Sequence, residues 1–516
     1  MASSLSTKFQ YRNARDLVRA VQSSGSSFYM FYGRTKPWAD EENPPTPDNS
    51  LKSEYDAWHD MTALKKIDGQ DVRLGFRRID WTTSTVYYEY REDVDLTDKD
   101  FYIYTDEKKV YKCISNNNGA ASTIKPTHTD NSITKQADGY KWKYMFTLSD
   151  SLIRKFFVPG YLPVGENETV VNNAVKGAIE NIRINTGGSG YSTSTTVPVF
   201  VSGDGDENAS ATATLTVDGG TIVGITVLSG GSNYPYAPES NIPVAIRQVG
   251  NNGAVETGYC LANTDENGAV SSITLVLGGS GYTSGTASIV QSSCQAAATT
   301  NGTGVVTDVS IATGKQGQNF RKASAKVVGT STSEATLTPT ISPFLGHGAS
   351  PERELLARYA LVNLRFAYDE GEGDFTVAND FRRIGMMESP LNYGTTTAST
   401  AQTLDAKYRI TLNESNVPFT ADDTIVGETS GAIGLQVDVF ESNKLRVIRG
   451  NDVSNYIDFT VGETVRGLSS GASGTIASIT NPEVQPYSGD ILFINNREAI
   501  TRRNDQIETI TLVLEY

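Results

Sequence analysis

A glycine-rich repeat between residues 173 and 344 most strongly limits how this chain can fold. Three copies share a run of alternating Ile, Val or Leu residues that leads into Gly-Gly-Ser-Gly/Asn-Tyr, and a decayed fourth copy follows. The copies span residues 177–192, 219–235, 268–284 and 304–320. Each predicts a short strand followed by a loop with positive φ angles, which Gly and Asn adopt at little cost. A unit this small cannot bury a hydrophobic face alone, so we expect the copies to pack together.

A second, different repeat lies between residues 396 and 483. Residues 424–437 and 464–477 align without gaps at an offset of 40 residues and share Thr-Ile/Val-x-Gly-x-x-Ser-Gly-Ala-x-Gly. This pattern predicts short strands joined by Ser-Gly-Ala turns, arranged as a small β-barrel or a pair of sandwich sheets.

Outside the repeats, both ends of the chain carry regular elements. The first segment predicts a helix that Asn13 caps and Gly25 ends, and residues 54–64 predict a second helix. An apolar strand at 28–32 separates the two helices. Five further stretches predict strands: 72–81, 85–90, 100–106, 109–114 and 139–148. The last residues, 487–516, end in an alternating apolar strand that we expect to pair into a sheet.

These elements predict a mainly β, multidomain protein with a sandwich- or barrel-like core and a few helices. The core is expected to come from the N- and C-terminal segments, interrupted by two repeat-built β insertions. A length of 516 residues accommodates about three domains of ordinary size. The expected boundaries are 1–172 for the first part of the core, 173–344 for the first insertion, 345–395 for a core segment, 396–483 for the second insertion and 484–516 for the closing core strands.

Charge and cysteine content narrow the class of protein. The net charge of −15 argues against binding to nucleic acid or to an anionic membrane surface. Three widely spaced cysteines predict neither a disulfide framework nor a zinc site. No apolar run approaches the roughly 20 residues that span a bilayer. The first residues lack the apolar core of a signal peptide, so we expect synthesis in the cytoplasm.

Residues that could carry chemistry are few, and none has the spacing of a known site. His347 lies between two glycines, for which a structural turn is a better interpretation than a catalytic role. Residues 203–208, Gly-Asp-Gly-Asp-Glu-Asn, resemble part of a calcium loop but lack its closing glutamate, which favours a hairpin tip. The acidic pairs in 369–374 fit a solvated turn better than a glycosidase site. We therefore assign no catalytic residue, no cofactor and no metal ligand.

Aromatic and arginine residues offer a different kind of site. They are enriched at the energetic centres of protein interfaces. The stretch Phe-Tyr-Met-Phe-Tyr-Gly-Arg-Thr-Lys-Pro-Trp places an apolar strand directly before a loop stiffened by prolines at 37, 44, 45 and 47. A stiff loop loses little entropy when it docks. The candidate interface residues are Arg34, Pro37, Trp38, Arg77, Arg78 and Trp81.

Several of these motifs together resemble one family. Gly-Arg-x-x-Pro-Trp, Arg-Arg-x-Asp-Trp, Val-Tyr-x-Cys and Asp-Gly-Tyr-x-Trp-x-Tyr-x-Phe occur in the order found in the baseplate wedge subunit, the gene product eight family, of T4-like contractile-tailed phages. The terminal Asn-Arg and the closing apolar strand complete the set. The resemblance covers residues 25–165 and 487–516, and 346–391 resembles the versions found in phages of marine cyanobacteria. The two repeat insertions depart from the shorter form of the family.

The resemblance implies a non-enzymatic subunit of the virion, located in the tail baseplate and assembled in the host cytoplasm. It implies a homodimer that joins other wedge subunits around the tail hub and takes part in baseplate rearrangement on host attachment. Partners would be proteins, with no nucleic acid and no membrane.

Two other functions stay open at this point. The repeat insertions could recognise a host-surface glycan through Tyr and Asn residues on their turns. A tail-associated depolymerase would need two carboxylates about 5–10 Å apart in a groove, and the sequence offers no pair that stands out.

Overall fold

A computed structural model describes residues 6–23, 25–193, 196–235, 242–248, 256–366, 380–441, 443–449, 457–501 and 508–516. The fold is mainly β, with several sheets and barrel-like arrangements, as the sequence predicts. The helices in the described residues are α1 (Thr7–Gln22), α2 (Leu51–Asp60), α3 (Asp150–Lys155), α4 (Glu168–Asn172) and α5 (Pro351–Glu354). None of them is long and apolar enough to cross a bilayer.

The strands follow in chain order. The first group runs to the start of the glycine-rich repeat: β1 (Phe28–Gly33), β2 (Met61–Lys66), β3 (Val72–Arg77), β4 (Tyr102–Tyr104), β5 (Lys109–Ser115), β6 (Ile133–Lys135), β7 (Lys141–Thr147) and β8 (Tyr161–Pro163). The repeat region contains β9 (Ile179–Thr186), β10 (Val197–Gly203), β11 (Glu207–Asp218), β12 (Thr221–Ser229), β13 (Ile242–Arg247), β14 (Gly258–Thr264), β15 (Val270–Leu277), β16 (Gly285–Ser292), β17 (Cys294–Thr300), β18 (Val306–Gln316), β19 (Ala323–Val327) and β20 (Thr336–Ile341). The remainder are β21 (Tyr359–Phe366), β22 (Phe381–Glu388), β23 (Thr403–Asp405), β24 (Tyr408–Ser415), β25 (Thr424–Gly427), β26 (Ile433–Glu441), β27 (Lys444–Ile448), β28 (Thr464–Gly467), β29 (Ser473–Thr480), β30 (Asp490–Ile500) and β31 (Glu508–Glu515).

The chain forms two compact units. The first contains Met1–Gly75, Arg154–Pro159 and Arg358–Tyr516, and the second contains Phe76–Ile153 and Gly160–Ala357. The fold therefore groups residues 76–153 with the glycine-rich insertion. The finer five-segment division stays a prediction.

The first unit is organised around β1. This strand is the centre of a sheet in the order β23-β2-β1-β22-β30, and all six of its residues are buried. Phe28, Met30 and Tyr32 belong to a core that includes residues of α1, β21 and β31, whereas Tyr29 and Phe31 pack in a second core with residues of α2. A strand that is buried on both faces has a continuous run of apolar residues. This explains the composition of 28–32, whose predicted place in the core is confirmed.

Both ends of the chain contribute to this unit. The C-terminal strand β31 pairs with β21, so that Leu514 lies opposite Ala360 and Leu512 opposite Val362. β30 pairs with β22, which in turn pairs with β1. The N-terminal and C-terminal segments thus fold together.

Three local predictions are wrong. α1 begins at Thr7 with Ser6 as its N-cap, whose Oγ accepts a hydrogen bond from the Phe9 N–H at 3.3 Å, and not at Asn13. α2 ends at Asp60, because the following residues pair with β1 as strand β2. Residues 86–90 form no regular strand, and the N–H of Tyr87 donates to the hydroxyl of Tyr140 at 3.2 Å instead of joining a ladder.

The second unit places the four repeat strands at sheet edges. Its two six-stranded sheets have the orders β18-β17-β10-β19-β20-β9 and β12-β11-β16-β13-β14-β15. In each sheet the two edge strands are repeat copies and lie close to each other, so that the sheet curls into a barrel-like form. The first copy thus meets the fourth, and the second meets the third. A four-stranded sheet, β4-β5-β7-β6, completes the unit.

Reciprocal hydrogen bonds fix these pairs of copies. The N–H of Tyr191 donates to Gly304 O at 3.1 Å, and the N–H of Phe320 donates to Gly177 O at 3.1 Å. In the other sheet, the second and third copies make the same exchange: Tyr234 binds Gly268 O at 3.0 Å and Tyr282 binds Gly220 O at 2.9 Å. The aromatic residue near the end of each copy is therefore held by a glycine at the start of its partner copy.

The repeat loops use the left-handed backbone conformation that the sequence predicts. The residue three positions before each closing aromatic has φ between 59° and 66° in all four copies: Gly188, Gly231, Gly279 and Gly317. The residue immediately before the aromatic is also left-handed and is Asn in two copies, Asn233 and Asn319. At Gly279 a Cβ would lie 2.5 Å from Glu256 O, so steric space as well as φ demands glycine there.

The second insertion forms a closed barrel in the order β24-β27-β26-β25-β28-β29. The repeated strands β25 and β28 pair antiparallel, with Ile425 opposite Gly467 and Gly427 opposite Val465. Val426 lies opposite its own counterpart in the repeat, Arg466, so the two copies are related by an approximate twofold axis at this pair. The predicted barrel is confirmed.

Candidate functional site

The loop after β1 contains the first three candidate interface residues. The chain turns sharply at the end of β1, where Arg34 has a φ of 56°. Gly33 lies so close to α2 that a Cβ on it would be 2.1 Å from Asp60 O. The guanidinium of Arg34 lies 3.8 Å from the centre of the Trp38 ring, and its Nη2 donates to Pro37 O at 3.3 Å. All three candidates therefore belong to one small cluster within the chain.

Trp38 packs against the rest of the chain. It is only 9 % exposed, and its indole N–H donates to Arg497 O at 2.9 Å. Asn496, the preceding residue in β30, donates from Nδ2 to Pro45 O at 2.8 Å. The proline-rich loop is thus fastened to the C-terminal strand, while Pro37 stays exposed.

A buried ion cluster supports the base of this loop. The Asp60 carboxylate accepts from Arg34 Nη1 at 3.2 Å and from Arg383 Nη1 at 3.1 Å. Burial raises the pKa of Asp60, and the two guanidinium groups oppose that rise. Arg382 binds Glu41 through Nε at 2.7 Å and so ties the loop to β22 as well. Two adjacent arginines inside an otherwise apolar strand, 381–387, were the sequence signal for this cluster.

The other three candidates lie in the second unit. Arg77 pairs with Asp100, and Arg78 Nε binds Asp80 at 3.0 Å while its guanidinium lies 5.2 Å from the centre of the Tyr104 ring. Trp81 donates from Nε1 to Ser122 Oγ at 3.2 Å. The two arginines are exposed and Trp81 is half-buried. These side chains are accessible, and their contact with a partner stays a prediction.

His347 occupies a buried loop in the second unit. It is 1 % exposed, and its Nδ1 and Nε2 lie 3.8 Å from Glu354 Oε2 and 3.9 Å from Glu180 Oε2. Burial, together with the nearby Lys112 ammonium, lowers the pKa of His347 to about 3. The flanking Gly346 and Gly348 have φ angles of 104° and 91°. A neutral imidazole at a tight turn matches the structural interpretation of this residue.

A charged cluster that sequence reasoning missed surrounds this histidine. Lys112 and Glu354 form a fully buried ion pair, and Glu354 Oε1 also accepts from Gly348 N at 2.8 Å. Burial lowers the pKa of Lys112 and opposes ionisation of Glu354, whose pKa nevertheless falls to about 2 beside that ammonium. The signal was a pair of lysines, at 112 and 143, within strands of otherwise apolar residues. Because breaking such a pair leaves an uncompensated charge, the cluster holds the His347 loop in place.

The calcium-like segment has a structural use. Asp204 Oδ1 accepts from the N–H groups of Arg321 and Lys322 at 2.8 and 3.0 Å, and Asp206 binds the Asn319 side chain at 3.0 Å. Residues 203–208 connect β10 in one sheet to β11 in the other, so the predicted hairpin tip is wrong. Among the residues that the structure describes, no group of three or more His, Cys, Asp or Glu is placed to hold a metal. The acidic pairs in 369–374 lie outside the described residues.

No protein-family model matches the chain, and no curated protein matches it.

Proposed function

We propose that the chain is a structural subunit of the baseplate wedge of a contractile phage tail. It assembles as a homodimer with neighbouring wedge proteins around the hub. One observation carries this proposal: two of the segments that resemble the wedge family, at opposite ends of the sequence, meet in one sheet. Gly-Arg-x-x-Pro-Trp follows β1, the terminal Asn-Arg motif lies in β30, and the Trp38 indole binds Arg497 across this distance.

The geometry supports an assembly role through rigidity. The loop after β1 is held by Arg34, by Trp38 and by the pairing of Glu41 with Arg382. Asp40 Oδ1 also accepts from the N–H of Glu42 at 3.1 Å. A loop with so many internal contacts loses little entropy when its exposed face binds a neighbour.

The outer strand of the same sheet offers a second contact surface. β30 spans 11 residues at the edge of its sheet, and its Leu492 side chain is 48 % exposed. Exposed edge strands readily pair with another chain. We propose that a subunit of the wedge adds to this edge.

The test begins with purified tails of the phage that encodes the chain. We expect mass spectrometry to detect the protein in these tails and electron cryomicroscopy to locate it in the baseplate. In solution, the purified protein should have twice the mass of the 55.7 kDa chain. Tails that lack the protein would overturn the proposal.

A substitution then tests the contact surface. Leu492→Lys should reduce incorporation into wedges, because a charge is costly in a buried contact. Leu228→Lys is the matched control, since this exposed leucine lies on the edge strand β12 of the second unit. Equal incorporation of both folded variants would exclude the β30 edge.

A further inference from the structure

A cleft of about 280 Å³ opens beside the small barrel of the first unit. Aliphatic side chains from β26, β27 and β29 form its floor. Tyr393, Tyr408 and Phe459 supply aromatic walls, and Arg449, Asp458 and Asn481 supply the polar groups. A concave site that combines aliphatic and aromatic side chains with a few polar groups can hold one small ligand.

The polar groups are arranged in a fixed network. Arg449 pairs with Asp458 and donates through Nη2 to the hydroxyl of Tyr408 at 3.3 Å. Its Nη1 donates to Ile457 O at 3.2 Å, and its guanidinium lies 5.2 Å from the centre of the Tyr408 ring. The Asp458 side chain is 77 % exposed, so its carboxylate retains room for further donors. Arg449 and Asp458 balance each other in charge.

The cleft breaks the approximate twofold symmetry of the barrel. The repeat offset of 40 relates Phe419 to Phe459. Phe419 is 3 % exposed within the barrel core, whereas Phe459 lines the cleft. The same residue type thus stabilises one half of the barrel and contributes to a site in the other.

We propose that this cleft binds one neutral hexose unit of a polysaccharide. A hexose has an apolar C–H face, which suits the aromatic walls, and a rim of vicinal hydroxyl groups. Asp458 can accept from those hydroxyls, while the Asn481 amide can both donate and accept. A charged sugar is disfavoured because the cleft has no uncompensated charge among its lining residues. This ligand lies beyond the assembly role and does not depend on it.

The surface next to the cleft extends the same chemistry. A small hollow shares Tyr408 and Arg449 with it and is also lined by Trp58 and Tyr487. Tyr487 is 46 % exposed, and its hydroxyl forms a 2.8 Å hydrogen bond with His59 Nε2. These rings give the next sugar of a chain an aromatic surface to contact.

Saturation-transfer NMR with the full chain tests the proposal. The probes are glucose, galactose, mannose and N-acetylglucosamine at millimolar concentration, in the range expected for a single-ring contact. At least one should receive magnetisation at its ring protons. The double variant Asp458→Ala/Asn481→Ala should weaken this binding about tenfold or more. The single variant Asn481→Ala, at an exposed position, should weaken it measurably even where the double variant folds poorly.

Glu428→Ala is the matched control, because Glu428 is exposed on the same barrel outside the cleft. Its binding should equal that of the wild type. Absence of transfer to all four sugars would overturn the proposal, as would binding that persists unchanged in the folded Asn481→Ala and double variants. A neighbouring subunit seated in the cleft in a map of assembled tails would also overturn it.

Discussion

The indole N–H of Trp38 donates a hydrogen bond to the carbonyl oxygen of Arg497 at 2.9 Å, although 459 positions separate them. This bond joins the loop after the central strand to the outer strand of the same sheet. Trp38 therefore makes an internal contact, whereas the sequence suggested an exposed interface residue. The exposed parts of the loop, Pro37 among them, are what a neighbour can reach.

Trp38→Phe should therefore destabilise the protein without any partner present. The change removes the donor and leaves the Arg497 carbonyl unpaired, at a cost of about 1–2 kcal/mol. Scanning calorimetry of the isolated protein measures this loss. Arg497→Ala is the control, because it keeps the carbonyl and removes only an exposed side chain. Equal stability of Trp38→Phe and the wild type would contradict the assigned bond.

Tyr282→Phe should weaken the second sheet of the repeat region. The hydroxyl of Tyr282 accepts from Gly258 N and donates to Ile246 O, both at 2.8 Å and both buried. Loss of the hydroxyl leaves two backbone groups unpaired, so we expect a destabilisation of about 2 kcal/mol. Chemical denaturation compares this variant with Tyr55→Phe, at an exposed helix position, which should behave as the wild type.

Comparing the stability of Gly279→Ala and Gly219→Ala should separate the cost of a steric clash from the cost of a left-handed backbone. Both glycines are left-handed, at φ 61° and 56°, but a Cβ meets Glu256 O at 2.5 Å only in the first case. Gly219→Ala should cost about 1 kcal/mol for the conformation alone. Gly279→Ala should cost about 1–3 kcal/mol more because neighbouring backbone must shift. Similar melting temperatures for the two variants would refute this distinction.

The stability of the barrel should depend on two carboxylates, each of which binds the Ser-Gly-Ala turn in the other half of the repeat. Asp423 Oδ1 accepts from Ser469 N at 2.8 Å, and Glu463 Oε2 accepts from Ser430 N at 2.9 Å. Glu463→Gln should cost about 1.5–3 kcal/mol, the range for hydrogen bonds to a charged group. Urea unfolding measures it, with the exposed Glu428→Gln as control.

The same acid gives a pH dependence with a defined sign. Burial acts to raise the pKa of Glu463, but the hydrogen bonds that it accepts from Ser430 and Thr460 outweigh this effect. The pKa of Glu463 is therefore below its ordinary value. Its contribution is therefore present above the pKa of an unfolded glutamate and is lost as the pH falls through the lower folded value. Stability of Glu463→Gln should vary less with pH in that acidic range, and an unchanged pH profile would argue against the assignment.

His347 should make the second unit sensitive to mild acid. Its pKa of about 3 in the folded protein lies below the value of 6.5 expected when unfolded, so the unfolded state binds the proton first. Stability should fall by about 2 kcal/mol between pH 7 and pH 5 from this residue. Glu354, with a pKa of about 2, adds a further loss only below about pH 4.5.

His347→Gln should flatten the dependence between pH 7 and pH 5, while lowering stability at pH 7 because the buried contacts change. Calorimetry at several pH values provides the measurement. A variant with the slope of the wild type would show that His347 titrates normally.

Much of the fold was readable from local patterns. The Gly and Asn positions of the repeat loops predicted left-handed residues, and the structure places them there in every copy. The uninterrupted apolar run at 28–32 predicted a core strand, and β1 is buried on both faces. Such features depend on the φ preference or the hydrophobicity of a few adjacent residues, so a short stretch of sequence contains the information.

Local patterns failed where distant segments compete for the same residues. Residues 61–64 have a helical pattern, yet they pair with β1, because ladder hydrogen bonds and a buried sheet face outweigh a weak helical preference. The contacts within the candidate site were beyond local patterns for the same reason. Arg34 and Trp38 were correctly grouped from sequence, but Asp60, Arg383 and Arg497 reach them only through the fold.

The sequence alone thus determined the mainly β class, the two repeats and the backbone conformations that their glycines require. Tertiary structure decided which copies pair, where Trp38 points and how an acid in one half of the barrel binds the turn of the other. The physical reason is range: a φ angle is a property of one residue, whereas a hydrogen bond between partners hundreds of positions apart exists only after the chain has closed upon itself.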